Sequence, residues 1–156
     1  MTSASTENIR VRRALQIDAE HISDFNIAMA LETEGKPLDS ETVRGGVRAV
    51  LSRNDLGFYV VAEHRDETVG QLLITYEWSD WRNAFFWWIQ SVYVAPEYRH
   101  QGVYRALHKY VSEVADRQGD VCGIRLYVDK DNEIAQGVYA GLGMSETNYY
   151  MYEIEF

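Results

Sequence analysis

The stretch Tyr98-Arg99-His100-Gln101-Gly102-Val103-Tyr104-Arg105-Ala106-Leu107 joins an apolar, strand-like run to an amphipathic helix through a basic turn that contains a glycine. Upstream, Phe85-Phe86-Trp87-Trp88-Ile89-Gln90-Ser91-Val92-Tyr93-Val94 is aromatic and β-branched, which favours a strand, and its bulk predicts one covered on both faces. Pro96 ends that strand. Downstream, Val103, Leu107, Tyr110, Val111 and Val114 recur at three- and four-residue intervals, the stripe of a helix that faces a core. The helix starts near Gly102. Free backbone N–H groups at that start, the positive end of the helix dipole and the neighbouring Arg99 suit a phosphate or pyrophosphate, and Gly102 lets the backbone come close.

Outward from this junction the chain reads as alternating elements. Ile9-Arg10-Val11-Arg12 alternates apolar and basic residues, as a strand with one covered face does. Asp18 is placed to cap a helix carrying Ile22, Phe25, Ile27, Met29 and Leu31, which Gly35-Lys36-Pro37 breaks. Asp39 or Ser40 caps a second helix with the stripe Val43, Val47, Val50 and Leu51. Phe58–Ala62 and Val69–Tyr76 flank the charged turn Arg65-Asp66-Glu67 and predict a hairpin, which the run from Phe85 to Val94 extends. The helix at 102–117 is followed by Ile124-Arg125-Leu126-Tyr127-Val128, whose β-rich pattern after a helical crossover predicts parallel pairing with the 85–94 strand. A helix at 132–141 ends at Gly141 or Gly143, and the alternating Asn148–Phe156 is expected to close the sheet. The fold class is therefore α/β of the α+β type, a mixed central sheet of about six to seven strands flanked by about four helices.

Two motifs carry a family resemblance. Arg99-x-x-Gly102-x-Tyr104, after a strand and Pro96, resembles the Arg/Gln-x-x-Gly-x-Gly/Ala signature of the GNAT acetyltransferase superfamily. Asn132-x-x-Ala135-x-x-x-Tyr139-x-x-x-Gly143-Met144 resembles that family's Asn-x-x-Ala-x-x-x-Tyr-x-x-x-Gly-Phe helix. The element order agrees with the same family. One departure stands out: Tyr104 occupies a position where the family usually has a small residue, so the helix start must leave room for its ring or the ring must cover the ligand.

The resemblance implies acetyl-coenzyme A as co-substrate, held by the backbone of Val92 and Val94, by Arg99, His100, Gln101, Gly102, Val103, Tyr104 and Arg105 around its pyrophosphate, and by Asn132 and Tyr139. It implies that the Val92 N–H faces the thioester carbonyl as an oxyanion donor and that Tyr139 is the general acid for the leaving thiolate. Read without the family, Tyr139 is an amphipathic residue on a covered helix face, and Asn132 is a helix cap. For a base, the candidates are Glu77 and Glu32, with Asp80 and Glu34 nearby in sequence; each is equally a solvated acid. Trp78, Trp81, Trp87 and Trp88 fall close together with Phe85 and Phe86, and one aromatic cluster is expected, either walling a cationic acceptor or packing the hairpin, with Arg82 stacked on it.

Composition bounds the rest. The 156 residues suffice for a single domain, 1–156, with 1–7 as a flexible tail. With 46% hydrophobic and 25% charged residues the chain reads as a soluble globular protein without a membrane span or export signal, expected in the cytoplasm. A net charge of −9 with scattered basic residues argues against nucleic acid and suits a cationic acceptor. Cys122, the sole cysteine, lies in Val121-Cys122-Gly123-Ile124 and reads as a buried small hydrophobe. The four histidines show no ligand spacing, so no metal is expected. The function expected is acetyl-coenzyme A-dependent transfer to the primary amine of a small molecule or peptide, by direct attack in a ternary complex, with a homodimer compatible. The alternative is a non-catalytic acyl-coenzyme A sensor or interaction module.

Overall fold

The β-rich runs assemble into one sheet of order β1-β2-β3-β4-β5 in a computed structural model that describes residues 8–156. The expected tail, 1–7, lies outside the described residues. The strands are β1 (Ile9–Arg13), β2 (Phe58–His64), β3 (Glu67–Ser79), β4 (Ala84–Val94) and β5 (Val121–Arg125); the helices are α1 (Ala19–Glu34), α2 (Ser40–Ser52), α3 (Val103–Gln118) and α4 (Glu133–Gly141). β1 to β4 pair antiparallel, and β5 returns parallel to β4 after α3. No helix among the described residues is long and apolar enough to cross a membrane.

The chain divides into two compact units, Met1–Leu126 and Tyr127–Phe156. In the first, strand alternation sends side chains to opposite faces of the sheet and each face receives helices. Val60, Ala62, Leu72, Ile74, Trp87 and Ile89 pack with Val103, Leu107, Val111 and Ala115 of α3. On the other face Tyr59 and Val61 pack with Ile22 of α1 and Val47 of α2. Each fully buried aliphatic side chain in these layers contributes about 1.5–3 kcal/mol. Gly70 lets α3 sit close: a Cβ there would lie 2.8 Å from Val103 Cγ1. Asp39 caps α2 as expected, accepting from the Thr42 N–H at 2.9 Å. Asp18 precedes α1 without capping it, because its carboxylate is spent on Arg12 (2.8 and 2.9 Å) and on the Leu15 N–H (2.7 Å). Glu63 joins the same Arg12, tying β1, β2 and the start of α1.

A bulge reorganises β4. Gln71 pairs with Tyr93 and Leu73 with Gln90, so Leu72 lies opposite both Ser91 and Val92, and Ser91 has a φ of +49°. The extra residue changes which side chains share a face. Before it, Trp88 and Gln90 reach Glu77 and Thr75; after it, Tyr93 lies against Phe25 of α1, ring centroids 4.9 Å apart. Val92 and Val94 turn to the α3 layer. Simple alternation puts Val92 on the face of Trp88 and Gln90, and the bulge overturns that.

Three further expectations are corrected. Among the described residues the sheet has five strands, not six to seven: Asn148–Phe156 alternates in sequence but forms no strand, and Tyr149, Tyr150, Met151, Tyr152, Ile154 and Phe156 are exposed. Alternation supplies side-chain faces, while a strand also needs a hydrogen-bonding neighbour. β5 begins at Val121, since Asp120 already accepts from the Phe85 N–H at 2.8 Å and sets the pairing. Cys122 is therefore on the outermost strand, exposed, its Sγ 3.2 Å from the Phe85 carbonyl. The tryptophans form no single cluster, because neighbours on a strand face opposite ways. Trp87 is buried against Phe58, Trp78 packs edge-on to Phe85 while half exposed, Trp88 lies on the other face, and Trp81 at the hairpin end is 88% exposed. Arg82 does stack, its guanidinium 5.0 Å from the Phe86 ring.

The second unit contains α4. Asn132 Oδ1 accepts from the Ala135 N–H (3.1 Å), and Gln136 Nε2 donates to the carbonyls of Asp129 and Lys130. The Leu142 N–H bonds back to Val138 (3.1 Å), and Gly143, at φ +87°, ends the motif.

Candidate active site

β4 and β5 pair only from Phe85↔Val121 to Trp88↔Arg125, so from Ile89 to Val94 the outer edge of β4 has no partner strand among the described residues. Backbone groups on such an edge seek donors and acceptors. The bulge at Ser91 and Val92 falls in this open stretch.

A helical turn at Pro96–Tyr98 follows, then His100 and Gly102 at φ +62° and +80°. Two left-handed residues so close fold the chain back on itself, and Gly102 does so without a Cβ to strain. Gly102 is the N-cap of α3, and the first helical rung runs from the Ala106 N–H to the Gly102 carbonyl at 3.0 Å. The N–H groups of Val103, Tyr104 and Arg105 precede that rung, in the turn where a helix leaves its donors to outside partners. The first turn of α3 holds no acid, so the positive end of its dipole is uncompensated there. The Tyr104 ring packs against the main core and lies 6.0 Å from the His108 ring. Gln101 Nε2 donates to the Glu97 carbonyl at 2.8 Å and braces the turn.

Arg99 is committed to the protein. Its Nε donates to the Val94 carbonyl at 2.9 Å and an Nη to Glu32 at 2.8 Å, with its guanidinium 5.4 Å from the Tyr93 ring. The signature arginine thus ties the end of β4 to the end of α1. Glu32 is bound on both oxygens, by Arg99 and by the Tyr93 hydroxyl at 2.9 Å. The Arg99 guanidinium first, then the Tyr93 hydroxyl, hold the Glu32 carboxyl below its usual range, while burial and Glu32 itself push the Tyr93 phenol up. A lowered carboxyl favours the ion pair over proton uptake near neutrality. Glu77 is likewise bound twice, by Trp88 Nε1 (3.2 Å) and by Arg125 (2.7 Å), which stacks 3.6 Å from the Phe86 ring. Asp80 accepts from the Trp81 N–H and is exposed.

In the second unit Asn132 is the N-cap of α4. Tyr139 is half-buried, and burial pushes its phenol above the usual range.

Sequence reading missed four participants. Tyr93 and Arg125 carry no local signal, since their partners Glu32 and Glu77 lie 61 and 48 residues away. Gln71 and Asn26, bonded to each other and through Gln71 to the bulge, are also remote in sequence. One signal existed for the bulge: Ser91 is the single small residue in an aromatic and β-branched run.

An open bulged strand that runs into a left-handed turn and a helix N-terminus, beside a parallel strand that stops short, defines an acyltransferase-type α+β fold. The chain belongs to the GNAT acetyltransferase family: the model described as "Acetyltransferase (GNAT) family" matches residues 20–144. Among solved structures it is similar to a possible acetyltransferase from Clostridium difficile 630, at 45% identity over 96% of this chain and 99% of that one, with a TM-score of 0.89. More distant likenesses include the ribosomal-protein-alanine N-acetyltransferase from Brucella melitensis biovar Abortus 2308, at 14% identity, TM-score 0.76 and coverage of 95% and 99%. Another is AAC(6')-Iy in complex with the bisubstrate analog CoA-S-monomethyl-acetylneamine, at 16% identity, TM-score 0.77 and coverage of 95% and 98%. No curated protein matches this chain.

Proposed function

We propose that this protein transfers an acetyl group from acetyl-coenzyme A to a primary amine by direct attack on the thioester in a ternary complex. The observation that carries the reading is the open edge of β4, bulged at Ser91 and Val92, which ends at the α3 N-terminus. Acetyl-coenzyme A fits these residues: its amide-bearing arm needs a strand edge, supplied by Val92 and Val94, and its pyrophosphate needs clustered N–H donors without nearby acids. The turn His100–Gly102 and the N–H groups of Val103, Tyr104 and Arg105 meet that need. We read both units as parts of one acetyltransferase domain, a reading supported by the family match at residues 20–144, which spans their division.

The amine nitrogen attacks the acyl carbon, the C–N bond forms, and charge builds on the carbonyl oxygen, where the Val92 N–H donates. A fixed donor at that point lowers the barrier by a few kcal/mol. As the C–S bond breaks, the thiolate takes a proton from Tyr139, a role resting on the family motif; its raised phenol keeps that proton in place at neutral pH. Glu32 and Glu77 hold Arg99, Trp88 and Arg125 in position, and the ammonium proton leaves to water. The net charge of −9 favours a cationic amine, drawn to the protein from a distance.

Calorimetry with acetyl-coenzyme A, joined to thiol release over a panel of amines and basic peptides, tests this. Binding with amine-dependent release that Tyr139→Phe slows, at unchanged affinity, is the expected result. Absence of binding refutes it. Binding with no release from any amine favours a sensor module, the reading to which the doubly bound Glu32 and Glu77 lend support.

A further inference from the structure

Gln71 sits in the middle of β3 with no exposed surface. Its Nε2 donates to Asn26 Oδ1 on α1 at 2.7 Å and to the main-chain carbonyl of Ser91 at 3.2 Å. Asn26 Nδ2 in turn donates to the Tyr59 hydroxyl at 3.3 Å. Gln71 Oε1 is buried and has no hydrogen-bond partner among the described residues. A buried amide with an unmatched acceptor is a costly occupant of a sheet interior, where methionine would fill similar volume at no such cost. The cost has a reason if the nitrogen is what matters. The carbonyl it reaches belongs to the one residue of β4 with left-handed φ.

That carbonyl is half of the peptide group whose other half is the Val92 N–H. The peptide is planar and trans, so its C=O and N–H point in opposite directions. Gln71 lies on β3, on the inner side of β4, and holds the Ser91 oxygen toward itself. The trans peptide then sends the Val92 N–H away from Gln71, in a stretch where β4 has no partner strand beyond Trp88 among the described residues. Donation to the oxygen also polarises the peptide and strengthens its N–H as a donor. We propose that Gln71, with its amide fixed by Asn26, is a positioning residue that aims the Val92 N–H at the acyl carbonyl of the substrate. The proposal rests on the transferase reading above.

The test uses the full chain and two variants, Gln71→Met and Asn26→Ala, with acetyl-coenzyme A and the best amine as probes. In Gln71→Met, kcat should fall roughly tenfold, less than the loss from deleting an oxyanion donor outright. KM for acetyl-coenzyme A should stay within about twofold and Tm within about 3 °C. The amide resonance of Val92 should move in the free protein, and its response to acetyl-coenzyme A should shrink. Asn26→Ala should act in the same direction with smaller effect, and the double variant should be no worse than Gln71→Met. A folded Gln71→Met with wild-type kcat and an unmoved Val92 resonance overturns the proposal. Should that variant fail to fold, wild-type kcat and an unmoved Val92 resonance in Asn26→Ala do so. A wild-type Val92 resonance that ignores bound acetyl-coenzyme A fails differently: it removes the oxyanion role from Val92 itself, and Gln71 loses its role with it.

Discussion

Replacing Gly70 by alanine tests how α3 is held against the sheet. The added Cβ would lie 2.8 Å from Val103 Cγ1, about 0.6 Å inside the 3.4 Å at which ordinary contact begins, with the Tyr93 carbonyl oxygen already at that limit. Val103 is 2% exposed and is the first residue of α3, and a helical valine has essentially one rotamer. The helix start must therefore yield. Overpacking of this size costs about 1–3 kcal/mol. Loss of glycine's freedom in the unfolded chain returns about 0.4–1 kcal/mol. A net loss of about 1–2 kcal/mol lowers Tm by about 2–8 °C for a chain of this length. Differential scanning calorimetry of Gly70→Ala, Val103→Ala and the double variant measures it. Because Val103→Ala removes the atom that collides, the double variant should be more stable than the sum of the single effects predicts, by about 1 kcal/mol. A Gly70→Ala protein of wild-type stability, or strictly additive effects, would refute the argument. By shifting the N–H groups of Val103–Arg105, the same variant should also weaken acetyl-coenzyme A binding, as calorimetric titration would show.

The other predictions concern the charged groups. For Asp18, burial opposes ionisation, but bonds from Arg12 and the Leu15 N–H more than offset it and leave the carboxyl below its usual range. A lowered carboxyl stabilises the fold above its unfolded pKa, near 4, and the stabilisation is lost as pH falls through the folded value. Asp18→Asn should therefore be less stable at pH 7 by about 2 kcal/mol, with the gap to wild type closing below pH 4 in denaturant titrations. Glu32→Gln should change stability by less than about 1 kcal/mol, the pair being half exposed. It should also leave the acid limb of the rate–pH profile in place, and a displaced limb would make Glu32 the base. Glu77→Gln should keep the amine-dependent rate within about threefold, whereas a loss of about 100-fold is what removal of a general base produces.

Where sequence was readable, local physics decided the outcome. Period and capping placed α2 on Asp39 and α3 on Gly102, and β-branched runs placed β2 to β4. The junction at 98–107 announced the helix N-terminus because turn chemistry is local. Choices that depend on distant partners were not legible. Asp18 stands before α1 as a cap should, but Arg12 and the Leu15 N–H claim its carboxylate. Asn148–Phe156 has the alternation of a strand and no ladder. Glu32 and Glu77 could be named as acids near the acceptor side, yet nothing local told that each is locked to an arginine. The side-chain face of Val92 was misread for the same reason: one residue of bulge is invisible to a period of two.

The bulge also separates the length of β4 from its packing. Removing Ser91 by deletion would let the strand pair regularly and would erase the left-handed residue, a local gain. It would leave Leu72 opposite Val92 alone, with Val92 and Val94 still toward the α3 layer and Tyr93 still toward α1, because the residue removed is the one the ladder steps over. A lost codon at this position would thus spare the packing of both faces and remove the one carbonyl that Gln71 holds.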